Sequence, residues 1–480
     1  MSLKRFAKNT AIYGIATILP RIVNVLLLRL FTSELKAASF SDATYFWIFA
    51  SLFNVILTYG METAFFRFYT KMKNSNKVSN TAFTSIVIST IFFLFVIMLL
   101  RYKLAEILNF DVRYFTILIW VVILDTLVVI PYAYLRVHNR PLRYTFYKLA
   151  NIFIYVVSII FFFKLQPFFN IKSISAFFHV TNNAIYIYYS NLIASAATLF
   201  LFIPVLRKFR LSIDRAIWIK MIRYGLPVMV AGLAYVINEN LDKYLLRNML
   251  GREIMGAYSA TYKIGVFMSL YITAFRLGAE PFFFSHSEHK NAKIKYAEIL
   301  LWFTIAGSIF YVFIVAYMDV IAGFFIRKKE YFTTIAIVPV ILLANLFLGI
   351  YYNLTVWYKL TDKTRFGMYL SLLGALITVF VNVFFIPVYG FMASAWATLA
   401  SYGTMTITSY LLGKKYYKVP YNVSKIILYI ILSSIFVFFI FKYLYHNMLL
   451  KTLLFVIYLL MVFILERKKI TAIFLSRNTR

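Results

Sequence analysis

Apolar runs of about 20 residues alternate with short polar breaks along almost the whole chain. At 1.5 Å per residue, such a run folded as a helix crosses a hydrocarbon layer of about 30 Å. The windows predict helices near residues 8–32, 43–68, 80–101, 112–136, 143–165 and 185–205. After a basic stretch (Arg207, Lys208, Arg210, Arg215), further windows fall near 219–248, 254–284, 296–318, 331–356, 365–386 and 390–413, and two more near 422–442 and 449–466. The expected architecture is an all-α polytopic membrane protein of about fourteen spans: an N-terminal six-helix lobe (1–206), a basic cytoplasmic linker (207–218), a C-terminal six-helix lobe (219–418), and two added helices with a basic tail (419–480).

Composition agrees with that pattern. Of 480 residues, 62% are hydrophobic and 14% charged, which separates the chain from soluble domains. The net charge of +33 is carried by short patches between apolar runs rather than by one face or motif, so it reads as membrane topology and not as a nucleic-acid footprint. With the N-terminus inside, the inside segments hold Lys71, Lys73 and Lys77; Arg136, Arg140 and Arg143; Lys290, Lys293 and Lys295; Lys359, Lys363 and Arg365; Lys414, Lys415 and Lys418; and Arg467, Lys468 and Lys469. Both termini are therefore expected in the cytoplasm. The opening Met1–Lys8 runs into an apolar helix without a small-residue cleavage site and reads as a retained first span. The outer stretch 164–184 is itself apolar and aromatic (Phe168, Phe169, Phe177, Phe178), which leaves no external domain.

The chain also resembles itself. At an offset of 218 residues, Leu27, Leu28 and Arg29 face Leu245, Leu246 and Arg247; Ser41 faces Ser259; Phe49, Ser51 and Leu52 face Phe267, Ser269 and Leu270; Gly60 and Glu62 face Gly278 and Glu280; and Phe65 and Phe66 face Phe283 and Phe284. At 217, Tyr114, Phe115 and Thr116 face Tyr331, Phe332 and Thr333. Because six helices separate equivalents, the copies share one orientation, as in a repeat about an axis along the membrane normal.

Candidate chemistry lies in the charges that apolar runs should not contain, since an ionised side chain at bilayer depth costs about 2.5–3.5 kcal/mol on insertion scales. Arg21 and Asn24 share a face of the first helix beside Pro20, with Arg29 near its outer end. Glu239, Asp242 and Lys243 recur on the seventh, where the offset maps Arg21 onto Glu239 and Asn24 onto Asp242. Lys263 and Arg276 lie on the eighth, and Asp125 on the fourth near Pro131. Arg21, Lys263 and Arg276 suit a cavity that holds phosphate; the competing reading is structural pairing, Arg21 with Glu239 or Arg276 with Glu280 at i,i+4. Asp125 is either a proton carrier or a partner of a neighbouring hydroxyl. Glu62 and Glu280 are expected to brace inner helix ends.

Other chemistries find no footing in the sequence. Cysteine is absent, no GxxxxGK[ST] loop is present for ATP, and among five histidines only His286 and His289 are close, without a carboxylate cage. No cofactor and no catalytic constellation are expected.

The helix count, the opening Lys8-Asn9-Thr10-Ala11-Ile12-Tyr13-Gly14 followed by Pro20, and the segment Gly60-Met61-Glu62-Thr63-Ala64-Phe65-Phe66-Arg67 resemble one family. It is that of the polysaccharide biosynthesis proteins, the Wzx-type lipid-linked oligosaccharide flippases, in the superfamily that includes multidrug and toxin extrusion transporters and the lipid II flippase. The resemblance implies a V-shaped pair of lobes around a cavity that opens alternately to either face. It implies export of an undecaprenyl-pyrophosphate-linked sugar across a bacterial inner membrane, with glycan polymerase machinery as a partner. Basic residues would line the cavity, Arg21 on the first helix and Arg276 on the eighth, with Asn24 and Lys263 beside them; the second helix offers only Arg67, at its inner end. A coupling Na+ or H+ would sit near Glu239 or Asp242, Asn382 and Thr398, with Asp125 as a further candidate. The alternatives are a multidrug exporter of the same fold, which would prefer an acidic cavity, and a membrane glycan polymerase or ligase, which would need a large catalytic outer loop.

Overall fold

A computed structural model describes residues 3–72, 74–169, 182–287, 289–361, 363–444 and 447–478, and among these residues the secondary structure is helical, with no strand. The outer-loop residues Phe177, Phe178 and His179, together with His446, lie outside the described residues. Helix is what apolar runs must form in lipid, where no water is present to satisfy backbone groups and each helix satisfies its own.

All fourteen predicted segments fall on helix, and among the described residues eleven helices are long and apolar enough to cross a membrane, so the count of fourteen spans is not confirmed. The others have identifiable reasons. Ile185–Leu201 is a short apolar helix of 17 residues. The predicted 254–284 is divided into Arg252–Gly265 and Phe267–Ser285, and Phe391–Tyr416 is diluted by Ser and Thr.

Lipid contact is written on the helix surfaces. Along Ser75–Ile107, the exposed residues Ile88, Ile91, Phe92, Phe95 and Leu99 recur every three or four positions, so one face presents only large apolar side chains. Helix ends are fixed by side chains. Asp111 accepts from the N–H of Arg113 at 2.8 Å, and Asp214 accepts from the N–H groups of Ala216 and Ile217, both at 3.1 Å.

The chain divides into two compact units, Met1–Ser259 with Thr378–Val383, and Ala260–Ile377 with Phe384–Arg480. In the first, Met61, Phe65, Val78, Ile86, Ile130 and Phe202 form a core around the ends of five helices. This unit includes the helix Arg215–Leu250, and the reason is visible at one crossing. The second predicted helix breaks between Ala37–Thr58 and Met61–Lys71, where Tyr59 and Gly60 adopt φ of 31° and 71°. A Cβ on Gly60 would stand 2.2 Å from the carbonyl oxygen of Gly225, and one on Gly225 would stand 2.7 Å from that of Tyr59. Two backbones meet there with no side chain between them. In the second unit, Trp357, Tyr358, Leu370, Tyr402 and Met405 form a comparable core.

Both copies of the repeat use the same tie. In the first unit Glu62, on the second predicted helix, pairs with Arg136 at the end of the fourth at 3.1 Å; in the second unit its counterpart Glu280 pairs with Lys359, at the end of the tenth, at 3.0 Å. Tyr114 and Tyr331 are both buried, and Thr116 and Thr333 each bond back to a carbonyl of their own turn.

The glycines give a test. Gly225→Ala should lower the thermal midpoint of the detergent-solubilised protein through overpacking worth about 1–3 kcal/mol. Gly278→Ala, the repeat counterpart of Gly60 with nothing within 4 Å of its Cβ position, should leave the midpoint unchanged or slightly raised. Equal losses at both positions would contradict the close crossing.

Candidate functional site

The first helix runs from Leu3 to Glu34 with Pro20 inside it. Thr17, Arg21 and Asn24, at i, i+4 and i+7, are all exposed, so they form a polar stripe beside the exposed apolar stripe of Ile15, Leu19, Ile22 and Leu26. Within a span, a guanidinium is costly in lipid and calls for a watered cavity, a polar ligand or a polar partner in the protein.

On Arg215–Leu250 the predicted cation residues are already engaged. Lys243 donates from Nζ to Oδ1 of Asp242 at 3.1 Å and also to the carbonyl oxygen of Glu239, while the Tyr258 hydroxyl donates to Oδ2 of Asp242 at 2.9 Å. Both members of the Asp242–Lys243 pair are buried. One turn earlier, Oδ1 of Asn238 accepts from the Thr378 hydroxyl at 2.8 Å, and the Asn382 amide donates to the Thr378 carbonyl at 2.7 Å. Asn382 thus belongs to a neutral amide and hydroxyl cluster, next to a carboxylate whose charge a lysine already balances. In the second unit the Thr398 hydroxyl bonds back to the carbonyl of Ser394 at 3.1 Å. Asp125 lies apart from these, on Val112–Leu127.

The second unit also holds Lys263, half-buried on Arg252–Gly265, and Arg276 on Phe267–Ser285. Arg276 donates from Nε and Nη2 to the same oxygen of Glu280, at 3.1 and 2.8 Å, and its guanidinium lies 4.1 Å from the centre of the Tyr352 ring. This is the i,i+4 pair that the spacing allows.

A charged site that the sequence reading did not single out occupies the far end of the first unit. Asp42, at the start of Ala37–Thr58, is buried and pairs with Arg247 at 3.0 Å and with Arg252. Its Oδ2 also accepts from Asn182 at 2.9 Å, and its carbonyl accepts from the Tyr188 hydroxyl at 2.9 Å. Arg247 further donates to Ser41 at 3.0 Å and lies 4.2 Å from the centre of the Tyr45 ring. Asp42, Tyr45, Asn182, Tyr188, Arg247 and Arg252 line a cavity of about 280 Å³ whose wall is completed by residues 109–111 and by Tyr114. Partial burial works against ionisation of Asp111, yet hydrogen bonds and charge from Arg113 hold its carboxyl below the ordinary value. Ser41 and Arg247 were visible in the repeat; Asp42 falls one residue before the predicted second helix and carried no periodic signal.

Removing one member of a buried pair strands the other. Asp42→Ala and Arg247→Ala should each destabilise the protein by about 3–5 kcal/mol, and the double variant should lose less than the sum. Arg252→Ala, half exposed, should cost about 1 kcal/mol or less. Thermal midpoints in detergent read all four, and strictly additive losses would show that the pair is not coupled.

The sequence pattern of the polysaccharide biosynthesis protein family matches residues 6–287, more than half of the chain. No curated protein sequence matches it. Among solved structures, the lipid II flippase MurJ in an inward closed conformation superposes with a TM-score of 0.73 at 17% identity, over 95% of this chain and 99% of that one. An inward-facing multidrug resistance MATE family transporter of the MOP superfamily gives 0.64 at 12% identity, over 83% and 97%. A MOP superfamily transporter from Pyrococcus furiosus, described as having a binding pocket of reverse polarity, gives 0.57 at 13% identity, over 84% and 95%. With a multi-pass helical fold of this kind and that sequence match, the chain belongs to the polysaccharide biosynthesis protein family.

Proposed function

We propose that the protein is a flippase that carries a lipid-linked oligosaccharide, joined to its polyprenyl carrier through pyrophosphate, from the cytoplasmic to the outer leaflet of a bacterial inner membrane. The observation that carries this reading is the stripe of Thr17, Arg21 and Asn24, exposed on a helix that crosses the bilayer. A guanidinium there supplies paired N–H donors for a phosphate anion, and the neighbouring amide and hydroxyl suit sugar hydroxyls. The adjacent apolar stripe suits a polyprenyl chain, so one helix presents surfaces for both parts of an amphipathic substrate. Family membership supports a role in glycan export, and the MurJ-like fold supports movement of a lipid-linked headgroup. The basic segments support an arrangement with both termini in the cytoplasm.

Transport against a gradient needs a driving ion, Na+ or H+, and ATP is not provided for by any motif in the chain. Asp242 offers little to an incoming cation because the ammonium of Lys243 is already there. In cells that depend on this chain for surface polysaccharide, Arg21→Ala at normal membrane abundance should reduce surface polysaccharide at least about tenfold, as expected for losing a charge-assisted contact worth about 1.5–3 kcal/mol. Arg21→Lys should retain part of it. Unchanged polysaccharide with loss of resistance to cationic drugs would instead establish a multidrug exporter.

A further inference from the structure

Residues 207–214 join Ile203–Leu206 to Arg215–Leu250 and lie as a strap along the first turns of Ser75–Ile107. Three alternate backbone N–H groups of the strap donate to side chains of that helix: Arg210 to Oδ1 of Asn80, Ser212 to Oγ1 of Thr84 and Asp214 to Oγ1 of Thr81, each at 3.0 Å. Phe209 stacks on Phe83 with ring centres 4.7 Å apart, and just beyond the strap the indole Nε1 of Trp218 donates to Ser85 at 2.8 Å. The strap is fastened at both ends and along its backbone.

This attachment lies at the edge of the apolar layer. No charged residue stands between Lys77 and Arg101, so that stretch of the helix is the part at bilayer depth. Asn80 and Ser85 lie about 5 and 8–12 Å past Lys77 along the helix axis. An N–H group at that level meets little water, and an unpaired one is costly. The hydroxyl and amide groups of the helix remove that cost, whereas a linker surrounded by water would gain little from them.

The strap's side chains fit the same boundary. Leu211 is 71% exposed and Ile213 43%, and Arg207, Lys208, Arg210 and Arg215 are exposed around them. The one acid in the segment, Asp214, faces Lys77 at 3.8 Å and caps the following helix. Among the described residues, none of the four cations has an ion pair.

We propose that residues 207–215 form an in-plane anchor that binds an anionic phospholipid of the inner leaflet, with Leu211 and Ile213 among its acyl chains and the four cations at its headgroup phosphate. Apolar side chains next to basic ones suit the boundary between acyl chains and anionic headgroups. Guanidinium groups give a phosphate paired N–H donors. A zwitterionic headgroup brings its own cation, which the four basic groups oppose. Because the backbone amides are already bonded within the protein, the segment enters the interface without stranding a donor. The site is independent of what the protein transports.

The chain has no cysteine, so one introduced at position 211 can be labelled alone. The full-length Leu211→Cys protein, carrying bimane, is placed in phosphatidylcholine nanodiscs that contain a rising share of dibrominated phosphatidylglycerol or, in parallel, of dibrominated phosphatidylcholine. Both lipids should quench the label, and the phosphatidylglycerol should do so with an apparent affinity at least about fivefold higher, the factor expected for one basic group held at an anionic surface. With Arg207→Gln, Lys208→Gln, Arg210→Gln and Arg215→Gln combined, the two lipids should quench equally. Arg210→Gln alone should lower the preference, and serves if the combined variant does not insert; Ile213→Cys serves if Leu211→Cys does not fold. A label that neither lipid quenches would place the strap in water and overturn the anchor. Equal quenching without the Gln substitutions, or a preference that survives all four, would overturn the headgroup site.

Discussion

Lipid cannot solvate a charge, and each ionised side chain in a span must find its counterpart within the protein or in a watered space. Much of the arrangement follows from that constraint. Asp42 gathers Arg247 and Arg252, Asp242 takes Lys243 and Tyr258, and Glu280 takes Arg276 and Lys359. The last two helices follow the same rule: buried Glu466 is matched by Lys425 and Tyr429, and buried Lys451 by Asp319. In each case helices that lipid would allow to slide past one another are held in register by a charge that cannot be left alone.

The helices were legible in the sequence because apolar length is a local property, and one run of about 20 residues suffices to infer one span. The partners of the charges were legible only where they too were local. Arg276 and Glu280 stand at i,i+4, and their pairing follows from helical spacing alone. Asp42 and Arg252 are 210 positions apart, and nothing in either neighbourhood announces the other. The count of fourteen spans is not confirmed, because Ser and Thr lower the hydropathy of Phe391–Tyr416 without preventing a helix.

Positions paired by the repeat share a tie. Glu62 and Glu280 both link the second helix of their set to the fourth, although the cation is an arginine in one copy and a lysine in the other. Gly60 and Gly278 have diverged further. Gly60 holds a left-handed conformation against another backbone, whereas Gly278 lies within a helix with open space around it. The same residue is kept in one copy by a close approach and meets no such requirement in the other.

The lysine beside Asp242 has a consequence for a protein that faces two compartments of different salt content. A mobile ion at that carboxylate would come and go with the concentration outside, and the order of this helix would vary with it. An ammonium fixed to the next residue along the chain has an effective concentration that no change of medium alters. This stretch of the first unit therefore keeps its charge balance without a mobile ion.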